Sequence, residues 1–198
     1  LDNVQNHETI MSYLTRHAQQ SPTVCAIKHH GKTLTYAELD RISDTICVQL
    51  RKLTMDEPCI IPMVASSSLP SFICLFSILK AGCAYLPLDP QWPMQRLKQA
   101  MTEVKATVAL YDEAVFSDVS DLPCETWLSF AALMRPSTNG INKPLSIEPH
   151  LLAYVIYTSG SSGIPKAIPI RHDSLLNLAK AQSKCFDVIS NDNIIQFA

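Results

Sequence analysis

Tyr154-Val155-Ile156-Tyr157-Thr158-Ser159-Gly160-Ser161-Ser162-Gly163-Ile164-Pro165-Lys166 joins an apolar run to a polar loop. The apolar run begins at Leu151 and reads as a near-continuous buried strand over 151–157. The loop carries four hydroxyls (Thr158, Ser159, Ser161, Ser162), two glycines (Gly160, Gly163) and one lysine, Lys166. Glycines let the backbone come close to a ligand and expose its N–H groups. Loops of this kind form concavities that hold anions. The hydroxyls add donors for phosphate oxygens, and Lys166 adds a point charge. A polyphosphate is the ligand this chemistry suits. The spacing is not that of a P-loop, which needs Gly, four residues, then Gly-Lys-Ser/Thr. Here Pro165 precedes Lys166 and Ala167 follows it. Ser/Gly clusters also occur as plain solvent loops, but the flanking strands and the lysine argue against that reading here.

Outward from the loop, strand and helix signals alternate. Residues 167–170 read as a returning strand and 173–184 as a helix with Asp173 or Ser174 as its cap. Towards the N-terminus, a helix is expected over about 7–20, then a strand at 24–27, a turn at His30-Gly31 and a strand at 33–34. Thr35 and Glu38 have capping-box spacing. The helix they start should run to about Leu53, with Leu39, Ile42, Ile46 and Leu50 as its buried stripe. Residues 59–65 read as a strand whose Pro62 predicts an edge position or a bulge. An apolar helix over 69–81 ends at Gly82. Residues 84–88 are extended, 89–93 turn, 94–104 are helical and 107–111 form a strand. The stretch 112–149 carries no clear period, and 194–198 reads as a strand. The alternation predicts an α/β fold with a mostly parallel sheet flanked by helices.

Composition narrows the class. The chain has 198 residues, 47% hydrophobic and 17% charged, as globular domains do. The net charge of -2 comes without a basic stripe, which disfavours a nucleic-acid partner. Residues 58–88 are the most apolar. They are broken by Pro62, Ser66-Ser67-Ser68, Pro70, Lys80 and Gly82, so no run of about 20 apolar residues remains to span a membrane. Residues 1–8 are polar and acidic, unlike a signal peptide. The start at Leu1 and the stop inside an apolar run predict a piece of a longer polypeptide. Seven cysteines, an odd number without Cys-x-x-Cys, suit neither a zinc ribbon nor a disulfide scaffold. They read as core filler in a reducing, cytoplasmic compartment, with no metal site. Trp92 and Trp127 read as packing residues, and His29 and His30 as hairpin residues. His172, between a strand and a helix, suits either a satisfied structural histidine or a substrate-side role.

Residues 157–166 resemble the signature of the acyl-adenylate-forming (AMP-binding) superfamily. Leu79-Lys80-Ala81-Gly82-Cys83-Ala84-Tyr85-Leu86-Pro87-Leu88-Asp89-Pro90, followed by Pro93 and Arg96, is similar to the second core motif of nonribosomal peptide synthetase adenylation domains. Leu34-Thr35-Tyr36-Ala37-Glu38-Leu39 is similar to their first. The resemblance implies that residues 1–198 are an incomplete N-terminal portion of such a domain, from its large subdomain. It implies that a carboxylate, in particular an amino acid, attacks the α-phosphate of ATP with Mg²⁺ present. The acyl-adenylate then passes its acyl group to a phosphopantetheine thiol on a carrier protein. By motif position, Thr158, Ser159, Gly160, Ser161, Ser162, Gly163 and Lys166 would bind the phosphates of ATP. The substrate pocket, the glutamate that holds magnesium, the ribose-binding aspartate and the lysine of the C-terminal subdomain would lie downstream, leaving these residues inactive alone. This chain departs from the pattern at Ser162, Ala167 and Asp173. Ala167 would be strained if its site needs a positive φ. An acyl-CoA or aryl-acid ligase of the same superfamily and a degenerate, non-catalytic scaffold are the alternatives.

Overall fold

The computed structural model describes residues 8–135, 146–158, 165–190 and 192–195. The elements run α1 (Ile10–Gln20), β1 (Cys25–His29), β2 (Lys32–Thr35), α2 (Tyr36–Thr54), β3 (Ile60–Val64), α3 (Leu69–Lys80), β4 (Ala84–Leu88) and α4 (Met94–Glu103). They continue with β5 (Val108–Tyr111), β6 (Thr126–Ser129), α5 (Phe130–Leu133), β7 (Leu152–Thr158), β8 (Lys166–Arg171) and α6 (His172–Cys185).

Local chemistry sets many of these bounds. His30 and Gly31 have φ of 46° and 78°, which the tight β1–β2 hairpin requires. At the start of α2, Glu38 N–H donates to Thr35 Oγ1 at 3.2 Å and Thr35 N–H donates to Glu38 Oε2 at 2.8 Å. The capping box read from the sequence is therefore formed. Ser68 caps α3 by accepting from Ser71 N–H at 3.2 Å. Gly82, with φ of 75°, turns the chain from α3 into β4.

A six-stranded sheet has the order β6-β5-β3-β4-β7-β8. Its registered pairs are parallel except β7 with β8, which is antiparallel. Successive strand residues point to opposite faces, and both faces are covered. Ile61 and Met63 pack with Ile46 and Leu50 of α2, Ile73 and Ile78 of α3, and Phe130 of α5. Val64, Leu86, Leu88 and Val155 pack with Leu97, Ala100 and Met101 of α4. Fully buried side chains such as Leu97 and Met101 contribute about 1.5–3 kcal/mol each.

The structure corrects the expectations for Pro62, for the cap of α6 and for residues 194 and 195, and it fills in a stretch left unassigned. Pro62 lies neither at an edge nor in a bulge; β3 is central and keeps continuous register with β4, Pro62 opposite Leu86. The reason lies in the direction of its imide nitrogen. Cys59 O accepts from Ala84 N–H and Ala65 N–H donates to Leu88 O, so odd positions bond towards β4. Val64 O accepts from Asp112 N–H beyond β5, so even positions, Pro62 included, face β5. The registered β3–β5 pairing begins only at Met63 opposite Leu110, so the absent donor falls at the start of that ladder. The unassigned stretch 112–149 contains β6 and α5, whose short lengths carry little periodic signal. Helix α6 begins after Arg171, whose side chain makes no capping bond, and Asp173 sits inside the first turn. Of the strand expected at 194–198, residues 194 and 195 are exposed and in no strand, and residues 196–198 lie outside the described residues.

Candidate functional site

The polar loop connects β7 to β8, and the register fixes its two ends. Along this ladder Leu152 faces Arg171, Ile156 faces Ile168, Tyr157 faces Ala167 and Thr158 faces Lys166. Thr158 is half-buried and Lys166 is exposed. Thr158, at the end of a half-buried strand, and Lys166 are therefore partners across one rung at the carboxyl end of β7, which is not the near-continuous buried strand expected from its apolar run. Ser159, Gly160, Ser161, Ser162 and Gly163 lie outside the described residues. Ala167 is extended within β8, and its φ is not positive. The strain anticipated for alanine at this position therefore does not arise.

The strand that enters the loop is held by contacts that the sequence reading did not pair. Tyr157 donates its hydroxyl hydrogen bond to Glu103, the last residue of α4. Burial, and then the adjacent Glu103 carboxylate, push the Tyr157 phenol well above its ordinary range. Trp92 meets Tyr157 edge to face at 6.2 Å, and the Arg96 guanidinium lies 3.6 Å above the Trp92 ring. Trp92 precedes α4 and Glu103 ends it, so both flanks of this helix touch Tyr157, the residue before Thr158. No signal in a single sequence links positions 103 and 157. Trp127 packs edge to face on Tyr111 at 5.9 Å, in keeping with its reading as a packing residue.

His172 occupies the other end of the same ladder. Its N–H donates to Leu151 O at 3.0 Å, beside the Leu152–Arg171 pair. Six residues of strand separate Leu152 from Thr158, roughly 20 Å at strand rise. The His172 ring is fully buried and neither nitrogen has a hydrogen-bond partner among the described residues. Burial lowers its pKa to about 4, against the opposing pull of Asp173. Asp173 itself is gripped by Arg171, with Nη2 to Oδ2 at 2.6 Å and Nε to Oδ1 at 3.1 Å. Its charge thus lies far from Lys166 and is paired locally.

At the carboxyl edge of the sheet, Asp112 is buried and accepts from Ser68 Oγ at 3.4 Å and Ala114 N–H at 3.1 Å. Asp89 accepts from Gln91 N–H at 2.8 Å. These carboxylates serve the turns that leave β5 and β4. Among the described residues no group of three or more His, Cys, Asp or Glu side chains could hold a metal ion. Among them, too, no helix is long and apolar enough to cross a membrane.

A mostly parallel sheet covered on both faces, handing a polar loop to its carboxyl edge, defines an α/β protein of the kind that binds ligands outside the strand ends. Residues 14–198 match the family described as AMP-binding enzyme, and the chain belongs to that family. It is 31% identical over 193 residues to gramicidin S synthase 2 of Brevibacillus brevis, covering 96% of this chain and 4% of that protein. It is 32% identical over 192 residues to nonribosomal peptide synthetase ftmPS of Neosartorya fischeri, covering 96% of this chain and 8% of that protein. The crystal structure of the nonribosomal peptide synthetase FmoA3 in its alpha-methyl-L-serine-AMP bound form superimposes with a TM-score of 0.82 at 27% identity. That match covers 93% of this chain and 20% of the other. The chain thus spans a small part of the length of these relatives.

Proposed function

We propose that this chain supplies the phosphate-gripping portion of an adenylation domain that activates an amino acid with ATP. The observation that carries the reading is the Thr158–Lys166 rung at the end of β7, at the carboxyl edge of the sheet. Thr158, Ser159, Ser161, Ser162 and Lys166 would bind the β- and γ-phosphates, with Gly160 and Gly163 letting the backbone approach. Mg²⁺ would neutralise part of the phosphate charge. Lys166, exposed and on an unbranched stem, can follow charge as it develops on departing pyrophosphate. The anchoring of Tyr157 to α4 holds the loop's entry strand in place beside Thr158. The carboxylate oxygen forms its bond to the α-phosphorus as the bond to the pyrophosphate oxygen breaks, leaving an acyl-adenylate. A phosphopantetheine thiol on a carrier protein would then take the acyl group. The similarity to nonribosomal peptide synthetases supports an amino acid as substrate. The unstrained Ala167 removes one motive for reading the chain as a degenerate scaffold.

The test is amino-acid-dependent exchange of labelled pyrophosphate into ATP, run on a complete adenylation domain that carries this chain. Exchange is expected with a restricted set of amino acids. Lys166→Ala should lower kcat/KM for exchange about 100–1000-fold, the range for loss of one donor that stabilises a transition state. Absence of exchange with every amino acid, in a domain that still folds, would overturn the reading.

A further inference from the structure

Cys59 and Cys83 are the residues immediately before Ile60 and Ala84, the first registered pair of β3 and β4. Their sulfurs lie 3.7 Å apart. Ala84 N–H donates to Cys59 O at 2.9 Å, so the two backbones are already clasped at this level. Neighbouring strands run about 4.8 Å apart, inside the Cα separation of about 4.4–6.8 Å that a disulfide requires. Reaching an S–S bond of about 2.05 Å calls for side-chain rotation without parting the strands.

The surroundings give the two sulfurs different roles. Cys83 is fully buried, while Cys59 is half-buried. A pocket of about 430 Å³ lies beside Cys59, lined by Pro58, Ile60, Val104, Leu151 and Leu152 among others. A small reagent therefore reaches Cys59 first, and Cys83 waits behind it. The S–H···S contact shares one proton between the sulfurs. With Cys59 as the donor, that contact lowers the Cys83 thiol below its ordinary range against burial and raises that of Cys59; either sulfur can be the donor, so the shift belongs to the pair. The pair loses one proton as a unit, and transfer of the remaining shared proton across the 3.7 Å contact places the thiolate on Cys59, the sulfur beside the pocket. The site lies at the amino edge of the sheet, away from the Thr158–Lys166 rung, and does not rest on the proposed activity.

We propose that Cys59 and Cys83 form a dithiol modification site, which a small hydroperoxide oxidises to a disulfide joining the starts of β3 and β4. The Cys59 thiolate attacks the terminal peroxide oxygen. The O–O bond breaks, the alcohol leaves with a proton, and Cys59 becomes a sulfenic acid. The Cys83 sulfur then attacks the Cys59 sulfur, and the S–O bond breaks. Hydroxide leaves with the Cys83 proton as water. The two thiols lose two electrons and two hydrogens, and the hydroperoxide becomes an alcohol and water.

The experiment treats the full chain with hydrogen peroxide, with exposed Cys25 and Cys185 changed to Ser to prevent links between molecules. Intact mass and peptide mapping are then read before and after dithiothreitol. The expected result is the loss of two hydrogens, a mapped Cys59–Cys83 link, and full reversal by dithiothreitol. Cys59→Ser should instead leave Cys83 reduced over the same exposure. The proposal is overturned if Cys59 gains two oxygens without a link. It is equally overturned if both thiols remain open to iodoacetamide after denaturation. These readings rest on the chain with both cysteines in place, so a poorly folding variant does not blunt them.

Discussion

Burial holds the His172 imidazole neutral in the folded chain, and this has a pH consequence. Its folded pKa is about 4, below the ordinary value near 6.5, with desolvation as the main cause. Between these values the unfolded chain binds the proton and the folded chain does not, so folding stability falls as pH drops from about 6.5 towards 4. The full difference is up to roughly 3 kcal/mol. Urea unfolding at pH 7.5 and pH 5 should show lower stability at pH 5, and His172→Leu should flatten that part of the slope. An unchanged slope in the variant would mean that other groups carry it. Gly82 is a second residue whose backbone decides the effect of substitution. A Cβ there would meet only Ile147 Cδ1, at an ordinary 3.8 Å, so space is adequate. The φ of 75° is what disfavours a side chain. Gly82→Ala should therefore destabilise by about 1–2 kcal/mol in denaturant titration. At this scale the sequence was informative: the turn glycine and the Thr35–Glu38 cap depend on residues within one turn of each other.

Helices α2 and α3 are joined by Lys80, the last residue of α3. Its ammonium donates to Asp40 O at 2.9 Å, Asp40 Oδ1 at 2.6 Å and Asp44 Oδ1 at 2.6 Å. The Lys80 side chain is 8% exposed, whereas that of Asp44 is 51% exposed. Removing the buried partner strands two carboxylates and a carbonyl, so Lys80→Ala should destabilise by about 2–4 kcal/mol. Asp44→Ala removes a solvent-screened partner and should change stability by less than about 1 kcal/mol. Urea titration of both variants checks the order, and equal losses would show that the two carboxylates are coupled. The motif containing Lys80 was visible in the sequence, but its partners, 36 and 40 residues away, were not. Element identity was largely legible, because the apolar periods of α2, α4 and β7 each span enough residues to repeat. The short β6 and α5 have too few residues to repeat a pattern.

Among the described residues, nothing covers the outer edge of β8 or the apolar side chains that follow it. Strand β8 is last in the sheet order and almost entirely exposed, with Ile168 at 38%. Leu178 and Phe186 of the following segment are 48% and 72% exposed, and Ile189, Ile194 and Ile195 add apolar surface. An open strand edge beside apolar side chains favours association. Sedimentation velocity of the 198-residue chain should show larger species as concentration rises, and Ile168→Lys with Phe186→Glu should reduce them. A monomer at every concentration would contradict this. The candidate site divides in the same way as the fold. Its candidate donors can be proposed from the sequence because hydroxyls, glycines and a lysine lie close together in the chain. The support of Tyr157 by Glu103, the distance of His172 from the loop and the meeting of Cys59 with Cys83 were not legible. The sequence by itself determined the Thr35–Glu38 cap, the turns at His30-Gly31 and Gly82 and most of the alternation of helix and strand, since each depends on neighbours a few residues apart. Only the tertiary structure decided strand order, the central place of Pro62 and the pairs that join distant positions. Those depend on which apolar faces bury one another across long crossovers, and no local pattern encodes that choice.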